Sequence, residues 1–460
     1  AEVEVRVAVA DVDGGQVLAA GAMLHHRRGG LVDPSDHMQV VEIGLALATT
    51  AAQAHEGETH QIMSAVNMMH CDLILINVDT DELVITPLKH AGNWPEAICQ
   101  HSWITPDRSK IFISTDANAT EGTKVAALRL DMVDWAQRTA HVSLEAMIPM
   151  GNPGELSSIP VPTQTSPKQP IPAVPSAWFP TYAQIHGPTL LPGTDFTYLT
   201  GYTNSNIYVL NNKTNQIVRK QSFGNDSRQL HGIYFNPSGR IGLSAPYQFD
   251  LNQVKVYVPS RNTGALFQVG SITLGSRNQY AAFSHFTTWV DDRYAFIGTM
   301  QSGSTSLTPA GASVIGPSVW RLDVARMQAT RVLGPTDSVD GVGVYRPASD
   351  VAVVGNTLIV AEEDTLDGNV GPGYIAFFDI SELNAPKLLA RLKPGVELPA
   401  DFKVAHVISL TNDKRFAYVS SYHSNHIVKI DVASRQVTKV YSSADGLDMP
   451  HGEFISGNLR

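Results

Sequence analysis

The sequence predicts an all-β fold, a β-propeller, on three observations. A four-strand unit recurs along most of the chain, the turns within it fall at matching places, and the length calls for a core that grows by adding units. At 460 residues the chain exceeds an ordinary single compact domain, whereas a repeat architecture extends its core blade by blade. The clearest copy is AHVISLTNDKRFAYVSSYHSNHIVKIDVASRQVTKVY, ending at Tyr441, in which apolar and polar residues alternate and Asn412-Asp413 makes the first turn.

Other copies align on it. Their first turns are Pro106-Asp107, Gly193-Thr194-Asp195, Pro237-Ser238-Gly239, Asp291-Asp292 and Gly355-Asn356, residue types that tight turns demand. Their third strands run into Asp131, Asn211, Asp323, Asp379 and Asp431, and the copy built on VKVYV turns at Ser260-Arg261-Asn262. Six units follow His101, and a seventh begins at His451 and stops short. The segment CDLILINVDTDELVITPL, Cys71 to Leu88, is a hairpin with no obvious first strand. The two chain ends are therefore expected to share one blade and clasp a ring of seven. The hairpin VEVRVAVADVDGGQVLAAG, within residues 1–59, is either decoration or part of an eighth blade. The propeller proper takes residues 60–460, with a Pro-rich excursion between blades at 149–180 whose nine prolines forbid regular strand or helix.

Composition narrows the function. No apolar run approaches the roughly 20 residues of a membrane-spanning helix. A net charge of -10, with basic residues scattered, argues against a nucleic-acid surface. Only Cys71 and Cys99 occur, so there is no disulfide framework and no Cys-x-x-Cys motif, and both are read as buried thiols. The internal stretch VEIGLALATTAAQAH, ending at His55, has a small-residue end like a secretory cleavage site, but it contains an acid and is read as structure.

Placing the units in register exposes the chemistry. The residue that opens each first strand is His101 (QHSW), His186 (IHGP), His231 (LHGI), His285 (SHFT), Asp350 (SDVA), His406 (AHVI) and His451 (PHGE). First strands are innermost in a propeller, so these side chains start where the strands meet the central channel. One histidine at a strand start is ordinarily a hydrogen-bonded structural residue. Six in register, with neighbours that change from copy to copy, point instead to a metal held by imidazole. Copper is the first choice, because nitrogen-rich sites favour it among divalent ions and matched cysteines for a structural zinc site are lacking.

The loop after each second strand lies on the same face as the start of the first. It carries Glu362, Glu363 and Asp364 in the fifth unit, His423 and His426 in the sixth, Asp116 in the first and Gln301 in the fourth, while Lys89, His90 and Glu96 precede the first. Of these, Glu362, His423, Lys89 and His90, together with Asp350, are the candidates for proton handling at the mouth. Taken singly, each is more simply a solvated turn or connector. The glycine after His186, His231 and His451 is expected where backbone must approach closely or take positive φ.

The blade pattern and the histidine ring, over about residues 60 to 460, resemble the copper-holding propellers that include thiocyanate dehydrogenase and, more distantly, the N-terminal domain of nitrous oxide reductase. The clustered histidines and cysteine-bearing domain of nitrous oxide reductase are missing here. The resemblance implies a multinuclear copper site with His101, His186, His231, His285, His406 and His451 as ligands and Asp350 in or near the shell. It also implies a periplasmic or secreted enzyme, its export signal removed, that oxidises thiocyanate with water to cyanate and sulfur. The partners implied are a small anion drawn to a cationic site, an external electron acceptor such as cytochrome c, and a second copy of the chain as homodimer. Two other classes stay open, a non-redox propeller lyase or lactonase with a single divalent ion, and a scaffold propeller whose histidines are structural.

Overall fold

A computed structural model describes residues 3–12, 15–24, 61–88, 97–150, 185–335 and 343–455. Loop segments at 106–108, 118–122, 202–205, 225–229, 247–251, 277–278, 281–283, 285, 300–312, 345, 347 and 364–370 fall outside the description. The chain divides into two units, residues 1–60 and 61–460. The first contains an antiparallel hairpin, Val3–Val12 with Gly15–Leu24, which forms a two-stranded sheet of its own and not a blade.

The second unit is a seven-bladed β-propeller of four-stranded antiparallel sheets. Blade one runs from Ala97–Ile104 at the centre to Thr139–Pro149 outside, blade two from Ile185–Leu190 to Gln216–Ser222, and blade three from Leu230–Phe235 to Leu266–Thr273. Blade four starts at Thr287–Trp289, blade five at Ala348–Val354 and blade six at Ile408–Leu410. Blade seven takes its inner strand, Pro450–Ile455, from the end of the chain and its other three, Ile62–Asn67, Asp72–Asn77 and Leu83–Pro87, from the beginning. The shared blade expected from the sequence is thus present, with one more strand from the N-terminal side. Ile62–Asn67 was not legible as a strand because all six of its residues are buried, which erases the alternation that marks a half-exposed strand.

Seven apolar clusters hold the ring, one at each junction between neighbouring blades. The middle strands of each blade are covered on both faces, so their side chains alternate between two junctions. Phe377 packs toward blade six and Phe378 toward blade four; Leu73 and Leu75 face blade one, Ile74 and Ile76 face blade six. Each such side chain contributes about 1.5–3 kcal/mol by leaving water. Because the last junction joins blades six and seven, the closure is as apolar as any other seam.

Polar residues set where strands stop. Asn211, Asp379 and Asp431 each end a third strand and accept hydrogen bonds from backbone N–H groups two or three residues on, at 2.8–3.0 Å. Asn77 does the same in blade seven and Ser260 in blade three. In blade one the sequence placed this turn at Asp131. The strand runs on to Asp134, whose carboxylate receives the Gln137 N–H, while Asp131 sits on the exposed face with Arg129 and Ser143.

The cysteine reading is corrected. Cys71 and Cys99, both fully buried, form a disulfide with Cα atoms 5.0 Å apart. It ties the turn before Asp72–Asn77 of blade seven to the inner strand of blade one. The pairing is invisible in sequence because it depends on how two successive blades pack side by side, which local pattern does not show.

Candidate metal centre

The inner strands deliver their histidines by a shared irregularity. In blade one Cys99 pairs with Thr115 and Ser102 with Ile113, leaving Gln100 and His101 opposite a single residue. Register shifts of the same kind occur after His186 in blade two, around His231 in blade three, before Asp350 in blade five and opposite Ala65 beside His451 in blade seven. Such bulges turn side chains out of the regular alternation. Here they coincide with the ring positions.

Backbones crowd together at two of these bulges, which accounts for the glycines after His186 and His451, while the Tyr234 ring fills the place of a Cβ at Gly232. Gly187 has φ +49°, and a Cβ there would lie 2.0 Å from the carbonyl oxygen of His231. A Cβ at Gly452 would lie 2.5 Å from that of Ala65. Thr200 Oγ1 stands 2.9 Å from the His231 carbonyl and 3.1 Å from that of His186, joining blades two and three at ring level. Ser349 plays the matching part between blades five and six, 2.9 Å from the Ala405 carbonyl and 3.0 Å from that of His406.

Five imidazoles from five successive blades form a continuous arc. Ring centroids are 4.9 Å apart from His406 to His451, 4.8 Å from His451 to His101, 5.1 Å from His101 to His186 and 5.1 Å from His186 to His231. His406 Nε2 and His451 Nε2 approach to 3.0 Å, and His101 Nε2 and His186 Nδ1 to 3.4 Å. His186 is half-buried and the other four are buried. His285, the sixth expected ligand, lies outside the described residues, as do Lys89, His90, Glu96, Gln301 and Asp364; the side chain of Asp116 is not described either.

Burial governs the charge of the arc. It holds His101 down to about 3, with the nearby charge of His406 acting in the same direction. His186 and His451 are likewise held well below the usual imidazole range, first by burial and then by their histidine neighbours. At neutral pH these three are neutral lone-pair donors. These three histidines therefore add no positive charge to the site at neutral pH.

The carboxylates divide differently from the sequence reading. Asp350 occupies the ring position of blade five, yet its oxygens accept the N–H groups of Val351 and Ile408, both at 2.6 Å, so it pins blade five to blade six. Glu362 is fully buried and committed to Arg391 at 3.0 Å and to the Arg346 N–H at 3.2 Å. The next residue, Glu363, reaches the arc instead, with Oε2 2.6 Å from His406 Nδ1. Tyr422, which the sequence did not single out, packs edge-on against His406 at 4.7 Å and hydrogen-bonds to Glu363. His423 stacks at a tilt on Tyr422 at 4.3 Å, and burial lowers its pKa while Glu363 opposes that shift. His426 turns away, 3.6 Å from Asp401.

The nitrogen spacings test whether a metal suits these residues. Two imidazole nitrogens sharing one ion at 2.0–2.1 Å, with 90–110° between them, lie about 2.9–3.4 Å apart. The pairs His406/His451 and His101/His186 fall in that range, so the donors fit an imidazole-bound transition metal taken in pairs. Among the described residues, no three donors converge on one point.

No family model matches the chain, and no curated protein does. In shape it is similar to a protein of unknown function from Desulfotomaculum acetoxidans DSM 771, at 14% identity over 86% of this chain and 98% of that one, with a TM-score of 0.54. It is also similar to proteins provisionally described as 6-phosphogluconolactonases from Bacteroides uniformis and Bacteroides fragilis. The first shares 12% identity over 85% of this chain and 98% of its own, with a TM-score of 0.52. The second shares 13% over 86% and 97%, with a TM-score of 0.50. These likenesses establish the fold, a propeller, and nothing about the chemistry. No helix of the described residues is long and apolar enough to cross a membrane.

Proposed function

We propose that the chain is a copper-dependent oxidoreductase acting on a small anion, with thiocyanate the substrate its resemblance implies and an external acceptor such as cytochrome c taking the electrons. The arc of closely spaced imidazoles, His406, His451, His101, His186 and His231, four of them buried, carries the reading. His406 and His451 would hold one ion through Nε2, and His101 Nε2 with His186 Nδ1 another. Copper bound there would supply Lewis acidity and a sink for electrons.

The overall change balances as thiocyanate plus water giving cyanate, elemental sulfur, two protons and two electrons. The protein's part is to exclude bulk water, to position the ligands and to take up protons. Glu363 holds His406 in place, and His423, kept neutral by its surroundings, is the proton acceptor we assign at the mouth. The disulfide supports an oxidising compartment, in keeping with a periplasmic or secreted protein.

The likeness in shape to proteins described as lactonases favours a second reading, a metal-assisted hydrolase with no redox step. One experiment separates the two. Protein loaded with copper or with zinc is supplied with thiocyanate, with and without cytochrome c or an acceptor dye. The redox reading expects cyanate only with copper and only with an acceptor. Cyanate formed without an acceptor, or equal turnover with zinc, would sink it.

A further inference from the structure

We infer that Glu363, supported by Tyr422, selects the tautomer in which His406 carries its proton on Nδ1 and presents Nε2 as an acceptor to His451. The inference rests on the metal-centre reading only for what that acceptor is used for.

The two residues come from equivalent loops of adjacent blades, each just beyond a second strand, Thr357–Glu362 and Phe416–Ser421. Glu363 is 2% exposed, so its charge must be met by donors within the protein. Two are in place. One is His406 Nδ1, at the 2.6 Å of a charge-assisted bond, and the other is the Tyr422 hydroxyl. A tyrosine hydroxyl carries a hydrogen at neutral pH and so can donate it. A carboxylate accepting two hydrogens satisfies all three groups. A protonated Glu363 donating to Nδ1 would instead leave the single N–H of His406 on Nε2, pointing at His451. The edge-on ring of Tyr422 also limits rotation of the imidazole.

The consequence reaches His451. With the His406 proton on Nδ1, its Nε2 is bare, and the 3.0 Å approach becomes a hydrogen bond donated by His451 Nε2–H. His406 is then the ligand already set to bind. His451 is the one that must move its proton to the other ring nitrogen before it can do so. A carboxylate behind a histidine ligand fixes tautomer and raises basicity in this way.

The test uses metal-free full-length protein labelled with 15N-histidine, with His406 assigned by comparison with His406→Gln. Two-bond proton–nitrogen correlations at pH 7.5 should show His406 as the Nδ1–H form. Glu363→Ala should convert it to the Nε2–H form. Glu363→Gln, which keeps an acceptor oxygen, should retain most of the original form and also serves if the alanine variant does not fold. Copper affinity, read by competition with a chromophoric chelator, should fall about 10- to 100-fold in Glu363→Ala and less in Tyr422→Phe. Finding His406 as Nε2–H in the unaltered protein, or as Nδ1–H still in Glu363→Ala, would overturn the inference. Should the tautomer change as stated while the unaltered protein binds no copper, the inference stands and the metal reading falls.

Discussion

His406 and His451, 45 residues apart in the chain, face each other with their Nε2 atoms 3.0 Å apart, one from blade six and the other from the C-terminal strand that closes blade seven. Two buried imidazoles whose reactive nitrogens meet at the spacing of two ligands on one ion make this pair the natural place to test metal binding.

Replacing His451 or His406 by asparagine should lower bound copper per chain and weaken copper affinity at least tenfold. Secondary structure should be unchanged, since seven separate apolar seams hold the ring. Metal content by atomic emission and circular dichroism on the same samples check this. Full copper occupancy in both variants would show that the pair is structural.

Acid should destabilise the metal-free protein. In the unfolded chain a histidine takes up its proton near 6.5, whereas folded His101 does so only near 3, and His186 and His451 are shifted in the same direction. Between those limits the unfolded state binds more protons. The stability is therefore complete above about pH 6.5 and is lost as pH falls, by about 2 kcal/mol at pH 5 for His101, with His186 and His451 acting in the same direction. Urea unfolding of chelator-treated protein at pH 7.5 and pH 5 measures the loss, and equal midpoints would contradict the burial argument.

Gly187→Ala should cost about 3 kcal/mol, because positive φ is combined with a backbone oxygen where the new Cβ would go. Gly355→Ala, at φ +56° with nothing within 4 Å, should cost nearer to about 1 kcal/mol. Chemical denaturation of both variants gives the comparison. Equal costs would mean that the close approach of blades two and three is not what demands glycine.

Reducing the Cys71–Cys99 bond should lower stability by about 3–4 kcal/mol, the chain-entropy value for a 28-residue separation. Thermal melts with and without a reductant, and of Cys99→Ser, provide the measurement. A melting temperature indifferent to both would place the two sulfurs in the thiol state first expected of them.

Much of this was legible in the chain. The turn residues and the polar stops at Asn211, Asp323, Asp379 and Asp431 mark blades directly, because local hydrogen bonding fixes them. The histidine register could be read because the imidazole recurs at the start of the units while its neighbours differ. Glu362 and Glu363 show where such reading stops. They are neighbours of the same type, and which one reaches the channel depends on strand phase and the exact end of the pleat, which a one-residue shift reverses. Asp350 fills a ring position by alignment, but two backbone N–H groups claim its oxygens. The disulfide depends on the packing of two successive blades and the arc on long-range closure, neither of which a local pattern encodes.

The shared blade also imposes a timetable on synthesis. Strands Ile62–Asn67, Asp72–Asn77 and Leu83–Pro87 are made early and must wait, with one edge unpartnered, until Pro450–Ile455 is added. That last strand also brings His451, so the protein cannot complete its pair with His406 while still being translated past blade six. A chain translated only through blade six therefore has the His101/His186 approach available but not the His406/His451 one, which waits on the strand that shuts the ring.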